Sequence, residues 1–250
     1  MRRQVTILGC RVDAVGTHEA VRRIVDLARE NGHAQVVTLG TEMAVRASAD
    51  PRFRAAVNAS TLSLCDTVGI RMAAKLYGVD IPERVTGIDL MGPLCEAFAL
   101  GGIPVYLLGG KGDTARRAAE ALRARYPRLI VAGARDGYFE PAADGAVAAE
   151  IKRSGAHVLF AGLGSPRQET WIAERLKETG CSVGIGVGGS FDVLAGNVAR
   201  APALWRRLNL EWLYRLLQEP ARWRRQLALP QFVWLALRER VGARASRRSW

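Results

Sequence analysis

The run His157-Val158-Leu159-Phe160-Ala161-Gly162-Leu163-Gly164-Ser165-Pro166-Arg167-Gln168-Glu169 passes from a β-rich apolar stretch, through glycines, into the start of a helix. Pro166 suits the first helical position, where its missing N–H is one the helix leaves unpaired, so the spacing predicts a helix over Pro166 to Lys177. The same grammar recurs outward from this run. Gln35 to Leu39 and Ile103 to Leu108 are short β-rich runs that precede glycines and then Ala-, Arg- and Glu-rich helical segments. Leu129-Ile130-Val131 reads as another strand, the segment ending at Ser63-Leu64-Cys65 as a third, and Ser182 to Val187 as the last buried one. Val5 to Cys10 reads as a first strand. Alternating β and α units with continuously apolar strands predict a mainly parallel, Rossmann-like α/β sheet covered by helices on both faces.

The 250 residues are 49% hydrophobic and 24% charged, which excludes a disordered or fibrous chain and suits one full domain or two small ones. Cys10, Cys65, Cys95 and Cys181 form no C-x-x-C pair, so a reducing compartment is expected, and the three histidines supply no metal cluster. Charges or clustered glycines interrupt every apolar stretch well short of a membrane span. Arg11 and Asp13 likewise break the N-terminal run before a signal-peptide core forms. A cytoplasmic protein is expected.

The formal charge of +12 is unevenly placed. Residues 200–250 hold twelve arginines against Glu211, Glu219 and Glu239, a surplus of nine that leaves only three to residues 1–199. Five of the six tryptophans lie there too. The composition shift at Arg200-Ala201-Pro202 divides an α/β catalytic body, 1–199, from a basic, Trp-rich helical appendage, 200–250, which Pro220 and Pro230 cut into about three short helices. Arg, Trp and Leu at helical spacing describe a segment lying on an anionic lipid surface. RNA binding, and a tail helix packed on the core with a solvated Arg face, compete with that reading.

Open parallel sheets place their sites beyond the carboxyl ends of the strands. Asp66 follows an apolar strand and is the best candidate general base, with a helix N-cap as its plain structural role. Gly109 to Gly112 joins strand to helix and could hold a diphosphate on backbone N–H groups, or serve only as a turn. Gln168 and Glu169 could simply favour the positive end of their helix. The G-x-G-x-x-G at Gly184, Gly186 and Gly189 lies inside a buried strand and lacks the acidic residue a dinucleotide site needs. No D-x-D occurs, so chemistry on a sugar nucleotide would neutralise its leaving group with arginines and helix ends rather than with a metal.

These residues resemble the WecG/TagA/CpsF family of bacterial glycosyltransferases. Asp50-Pro51-Arg52-Phe53, Asp66 with Gly69-Ile70, Arg84-Val85-Thr86-Gly87-Ile88-Asp89-Leu90, Leu107-Leu108-Gly109-Gly110 and Tyr126-Pro127 match its signatures in order. So do Asp136-Gly137-Tyr138-Phe139, Gly162 to Glu169, Gly186 to Asp192, Arg200-Ala201-Pro202, Leu210 to Leu216 and Glu219 to Arg222. The resemblance implies an inverting, metal-independent enzyme with no cofactor. It would move a hexose, N-acetylmannosamine above all, from a UDP-sugar to a polyprenyl-diphosphate-linked N-acetylglucosamine in cell-surface polysaccharide synthesis. Carried over by position, Asp66 falls on the catalytic base, and Thr38, Arg84 and Gln168 on active-site polar groups. Gly109 and Gly110 would hold UDP, Asp136 and Asp192 join the substrate-binding set, and Arg215, Arg222 and Arg225 close over the diphosphate. The tail then meets an anionic membrane, not nucleic acid, and the enzyme sits peripherally on the inner face of the plasma membrane. A homo-oligomer is compatible with the sequence.

The chain departs from the family pattern twice. Thr38-Leu39-Gly40 stands for Thr-x-Asn and Asp66-Thr67 for Asp-Gly, which leaves the exact donor and acceptor sugars open, with transfer of another UDP-hexose such as glucose as the alternative. A non-catalytic lipid- or nucleic-acid-binding module is the rival from another class.

Overall fold

A computed structural model describes residues 3–207, 211–218 and 227–246. The N-terminal run is not one strand. It folds as an antiparallel hairpin of β1 (Gln4–Ile7) and β2 (Cys10–Asp13), with Ile7 paired to Cys10. Leu8 and Gly9 between them take φ of 50° and 74°, the left-handed conformation a two-residue hairpin turn requires. Glycine bears this without cost and leucine does not, which is why the sequence reads as uninterrupted.

The main sheet contains β3 (Ala34–Leu39), β4 (Leu62–Cys65), β5 (Val105–Gly109), β6 (Val131–Arg135), β7 (Val158–Gly162) and β8 (Val183–Gly186) in the order β4-β3-β8-β7-β5-β6, and its paired strands are parallel. The mainly parallel, helix-covered α/β expectation holds. β6 begins at Val131, the last residue of the apolar triplet that suggested it, and runs on through Ala132-Gly133-Ala134, which carries little hydrophobic signal. Glycine is needed there, since a Cβ on Gly133 would stand 2.4 Å from Tyr106 Cε2 of β5.

Along the chain the body's helices are α1 (Thr17–Arg29), α2 (Thr41–Ala49), α3 (Pro51–Asn58), α4 (Val68–Leu76), α5 (Gly87–Gly101), α6 (Thr114–Arg125), α7 (Asp144–Ser154), α8 (Arg167–Thr179) and α9 (Ser190–Leu194). Residues of α1, α5, α6 and α9 cover one sheet face, packing Ile24, Leu94, Phe98, Leu122 and Phe191 on Val36, Leu64, Leu107, Phe160 and Ile185. On the other face α2, α3 and α4 pack with the hairpin over Val37, Leu39 and Cys65, while α7 and α8 cover Leu108, Leu159 and Ala161. Strand residues of alternate parity feed opposite cores, as a sheet buried on both sides demands. Local signals set the helix starts: Asp50 Oδ1 accepts the N–H groups of Arg52 and Phe53 ahead of α3, at 3.0 Å each. Pro166 is the N-cap of α8, one position before the N1 site expected of it.

The appendage contributes α10 (Ala203–Arg207), α11 (Glu211–Gln218) and α12 (Ala228–Ser246). Pro230 does not divide it. The residue falls in the first turn of α12, where no intrahelical partner for its N–H is needed. Phe232 and Ala236 of α12 are buried in the cluster that holds Met43, Ile70 and Ala73 of α2 and α4. Burying a phenylalanine is worth about 2 kcal/mol. Glu239 Oε2 adds polar ties, accepting the Leu8 N–H at 2.9 Å and the Tyr77 hydroxyl at 2.6 Å. Among the described residues no helix is long and apolar enough to cross a membrane.

Candidate functional site

All six main-sheet strands run the same way, so Asp66, Gly40, Val187, Leu163, Gly110 and Asp136 all follow carboxyl ends on one edge. α2, α4, α6 and α8 start there, and their N-termini bring positive partial charge to it. The chain leaves β5 toward β6 on one side and leaves β7 toward β8 on the other. This opens the crevice in which such sheets bind ligands. With strands about 4.8 Å apart, Asp66 and Gly109 stand roughly 19 Å from each other along the edge.

At the crevice the glycines serve close packing. Gly109 has φ +147°, and a Cβ on it would lie 2.4 Å from the Gly162 carbonyl. Gly110 donates its N–H to Gly162 O at 3.1 Å and accepts the Gly137 N–H at 2.8 Å. Its own N–H is thereby committed, and anion-binding capacity here falls to the Lys111-Gly112 turn and the start of α6. Asp136 accepts the Tyr138 N–H at 2.9 Å in a local turn. Asp192, in α9, accepts from Asn197 Nδ2 at 3.3 Å.

At the other end of the edge the Asp66 N–H bonds Leu39 O at 3.0 Å, and the Val85 N–H bonds Cys65 O at 2.7 Å. The second bond carries Arg84 across the end of β4. Burial and the neighbouring Asp66 charge push the Cys65 thiol up to about 12, against the pull of Arg71 and Arg84. Asp66 and Arg84 thus both bear on Cys65 at the end of β4. Gly40 faces them: a Cβ there would lie 3.7 Å from Asp66 Oδ2 and 3.3 Å from Thr67 Cγ2. The Thr38 hydroxyl donates to Gly186 O at 3.2 Å, tying β3 to β8 behind this group.

Gln168 is buried, and both ends of its amide are engaged. Nε2 donates to Glu169 Oε1 at 2.6 Å, and Oε1 accepts the Gly188 N–H at 3.1 Å. It holds the turn after β8 in place beside the β3 and β4 ends. Glu169, 1% exposed, is raised above the ordinary glutamate range by burial, opposed by hydrogen bonds from Gln168 and Ser165 and by the Arg46 charge. Sequence reasoning offered a helix dipole for both residues and, through the family resemblance, an active-site role for Gln168, and gave no sign of this chain of contacts. It also missed Arg167, which donates to the carbonyls of Gly137 and Phe139 at 2.6 and 2.8 Å and stacks on the Phe139 ring, clamping the Asp136 loop to α8. A conspicuous arginine between a proline and a helix was the available signal.

Asp66, Thr38, Arg84 and Gln168 therefore belong to the β4-β3-β8 end of the edge, and Gly109, Gly110 and Asp136 to the β5-β6 end. Arg215 falls on α11, its side chain outside the described residues, and Arg222 and Arg225 lie outside them altogether. Among the described residues no group of three or more His, Cys, Asp or Glu side chains could hold a metal ion.

Residues 5–246 match the family model described as the glycosyl transferase WecG/TagA/CpsF family. The chain is 35% identical over 216 residues, 86% of its length and 83% of the relative's, to an N-acetylglucosaminyldiphosphoundecaprenol N-acetyl-beta-D-mannosaminyltransferase of Bacillus spizizenii. A Bacillus subtilis protein of the same name is 34% identical over 206 residues, covering 82% of this chain and 80% of its own.

Proposed function

This chain belongs to the WecG/TagA/CpsF family of glycosyl transferases, and from that premise we propose that it transfers N-acetylmannosamine from a UDP-sugar to polyprenyl-diphosphate-linked N-acetylglucosamine. The observation that carries the proposal is the sharing of one sheet edge by a carboxylate at the end of β4, the Arg84 segment that the Val85–Cys65 bond brings to the same strand end, and four helix N-termini. A base and an anion cradle on one line are what sugar transfer from a nucleotide needs.

Asp66 takes the proton from the acceptor hydroxyl as its oxygen attacks the anomeric carbon of the donor. The bond from that carbon to UDP breaks on the opposite face, which inverts the centre and gives a β-linkage. Charge growing on the departing diphosphate is met by Arg84, by the helix N-termini and by Arg215, Arg222 and Arg225 of the appendage. Gln168 acts by holding the Gly188 turn. We assign catalysis to residues 1–199 and membrane attachment with site closure to residues 200–250, on the inner face of the membrane. The exposed Leu204, Trp212, Leu217, Trp234 and Leu237, set among arginines, support lipid contact.

Purified protein, a UDP-hexose panel and a short-chain lipid-diphosphate N-acetylglucosamine test the reading by product mass. Asp66→Asn should retain fold and donor binding while lowering turnover about 10²–10⁴-fold, the usual contribution of a positioned base. Near-wild-type turnover would remove Asp66 from that role. Preferred transfer of glucose would favour the second reading, to which Gly40 and Thr67 beside the base lend weight. Arg222→Ala should retain liposome binding and lose turnover on a water-soluble diphosphate acceptor, and full activity there would reduce it to surface attachment.

A further inference from the structure

Thr67 is the N-cap of α4, with extended backbone angles of φ −117° and ψ 154°. A threonine there ordinarily turns its hydroxyl to accept an N–H of the first helical turn. This one makes no such cap, and its Oγ1 is buried without a hydrogen-bond partner among the described residues. Among the described residues the hydroxyl adds nothing to the local structure. The methyl, by contrast, is aimed: Cγ2 stands 3.3 Å from the point where a Cβ of Gly40 would lie, and Asp66 Oδ2 stands 3.7 Å from that same point. Carboxylate and methyl converge above a residue that has no side chain. Glycine at position 40 keeps a Cβ out of the gap between them, and the branched methyl of residue 67 bounds that gap on one side. A β-branched side chain is stiff about χ1, so this wall does not swing aside as a longer one would.

We propose that the Thr67 methyl is a specificity-determining wall of the transferase site, limiting bulk on the acceptor-sugar carbon that flanks the attacking hydroxyl. The proposal rests on Asp66 being the base that receives the proton of that hydroxyl, because only then does the wall stand beside the reacting oxygen. One methyl group in a fitted pocket discriminates by about 10- to 200-fold.

The test compares kcat/KM for two short-chain lipid-diphosphate N-acetylglucosamine acceptors with one donor, the second acceptor bearing an O-methyl group on the carbon next to the attacking oxygen. Wild type should prefer the unmodified acceptor by at least about tenfold. Thr67→Val keeps the methyl and replaces only the orphan hydroxyl, so it should keep that ratio and hold or raise the Tm. Thr67→Ser and Thr67→Gly remove the methyl and should lower the ratio about tenfold, the serine variant carrying the test should the glycine variant fold poorly. A serine variant with the wild-type ratio, or a valine variant that loses it, overturns the proposal. So does a lowered Tm in Thr67→Val, which would reveal a partner for the hydroxyl. Wild-type protein inactive on both acceptors defeats the acceptor assignment, Asp66→Asn as active as wild type defeats the base reading, and either takes this proposal with it. Unchanged ratios in an enzyme that still depends on Asp66 defeat the wall alone.

Discussion

Replacing Gln168 by alanine should damage the fold as well as the chemistry. The side chain is 3% exposed and spans two partners, the Glu169 carboxyl at 2.6 Å and the Gly188 N–H at 3.1 Å. Truncation leaves both without it, and an unmade buried hydrogen bond costs about 1–3 kcal/mol. Gly188 is partly accessible and can recover water, so the sum is held to about 2–4 kcal/mol. For a chain of this size each kcal/mol moves Tm by about 2–4 °C, so the expected drop is roughly 4–16 °C by calorimetry. Glu169→Gln separates the charge from the strut. Burial holds the Glu169 carboxyl above its ordinary 4.5, so across the interval from 4.5 to the raised value the folded protein keeps a proton that the unfolded chain has lost. Stability from this group is therefore full below 4.5 and declines as pH rises through the raised value. The glutamine variant should lack that decline and gain on wild type as pH rises across the interval. A Gln168→Ala protein with unchanged Tm and abolished turnover would refute the strut and return the amide to direct substrate contact. A Glu169→Gln protein with the wild-type pH profile would refute the assignment of the buried proton.

Burial pushes Cys10 and Cys181 up to about 11 and Cys65 and Cys95 up to about 12, so none of the four thiols should react promptly with a disulfide reagent at pH 8, while all four should react in guanidinium. Prompt labelling of one thiol in the folded protein would contradict the burial of that residue. Glu239→Ala removes the acceptor of both the Leu8 N–H and the Tyr77 hydroxyl and should cost about 1–3 kcal/mol, read as a lower Tm. An unchanged Tm would mean that α12 is not seated on the hairpin and α4 in solution.

Strands β3, β5, β7 and β8 were legible because they are buried on both faces, so their apolar runs are continuous and end at glycines. Where that logic lapses the reading slips. β6 escaped because Gly133 must be small to pass Tyr106, and the N-terminal hairpin escaped because its turn uses Leu8 in a conformation leucine seldom adopts. That Asp66 and Gln168 lie at the carboxyl edge was legible from position, since the parallel topology carries whatever follows a strand to one edge. What those side chains meet there depends on residues far off in the chain. Gln168 reaches Gly188 twenty residues on, and Glu239 reaches Leu8 across 231 residues. The tail shows the same limit from the other side. Its charge and tryptophans were plain in the composition, yet α12 spends Phe232 and Ala236 on the core of the body while leaving Val233, Trp234, Leu237 and Val241 exposed. One face of α12 is thus packed, and the lipid-surface proposal rests on the other, exposed face. Removing residues 200–250 would strip both the core contact and the exposed face, so only point variants on the exposed side can report on membrane attachment alone.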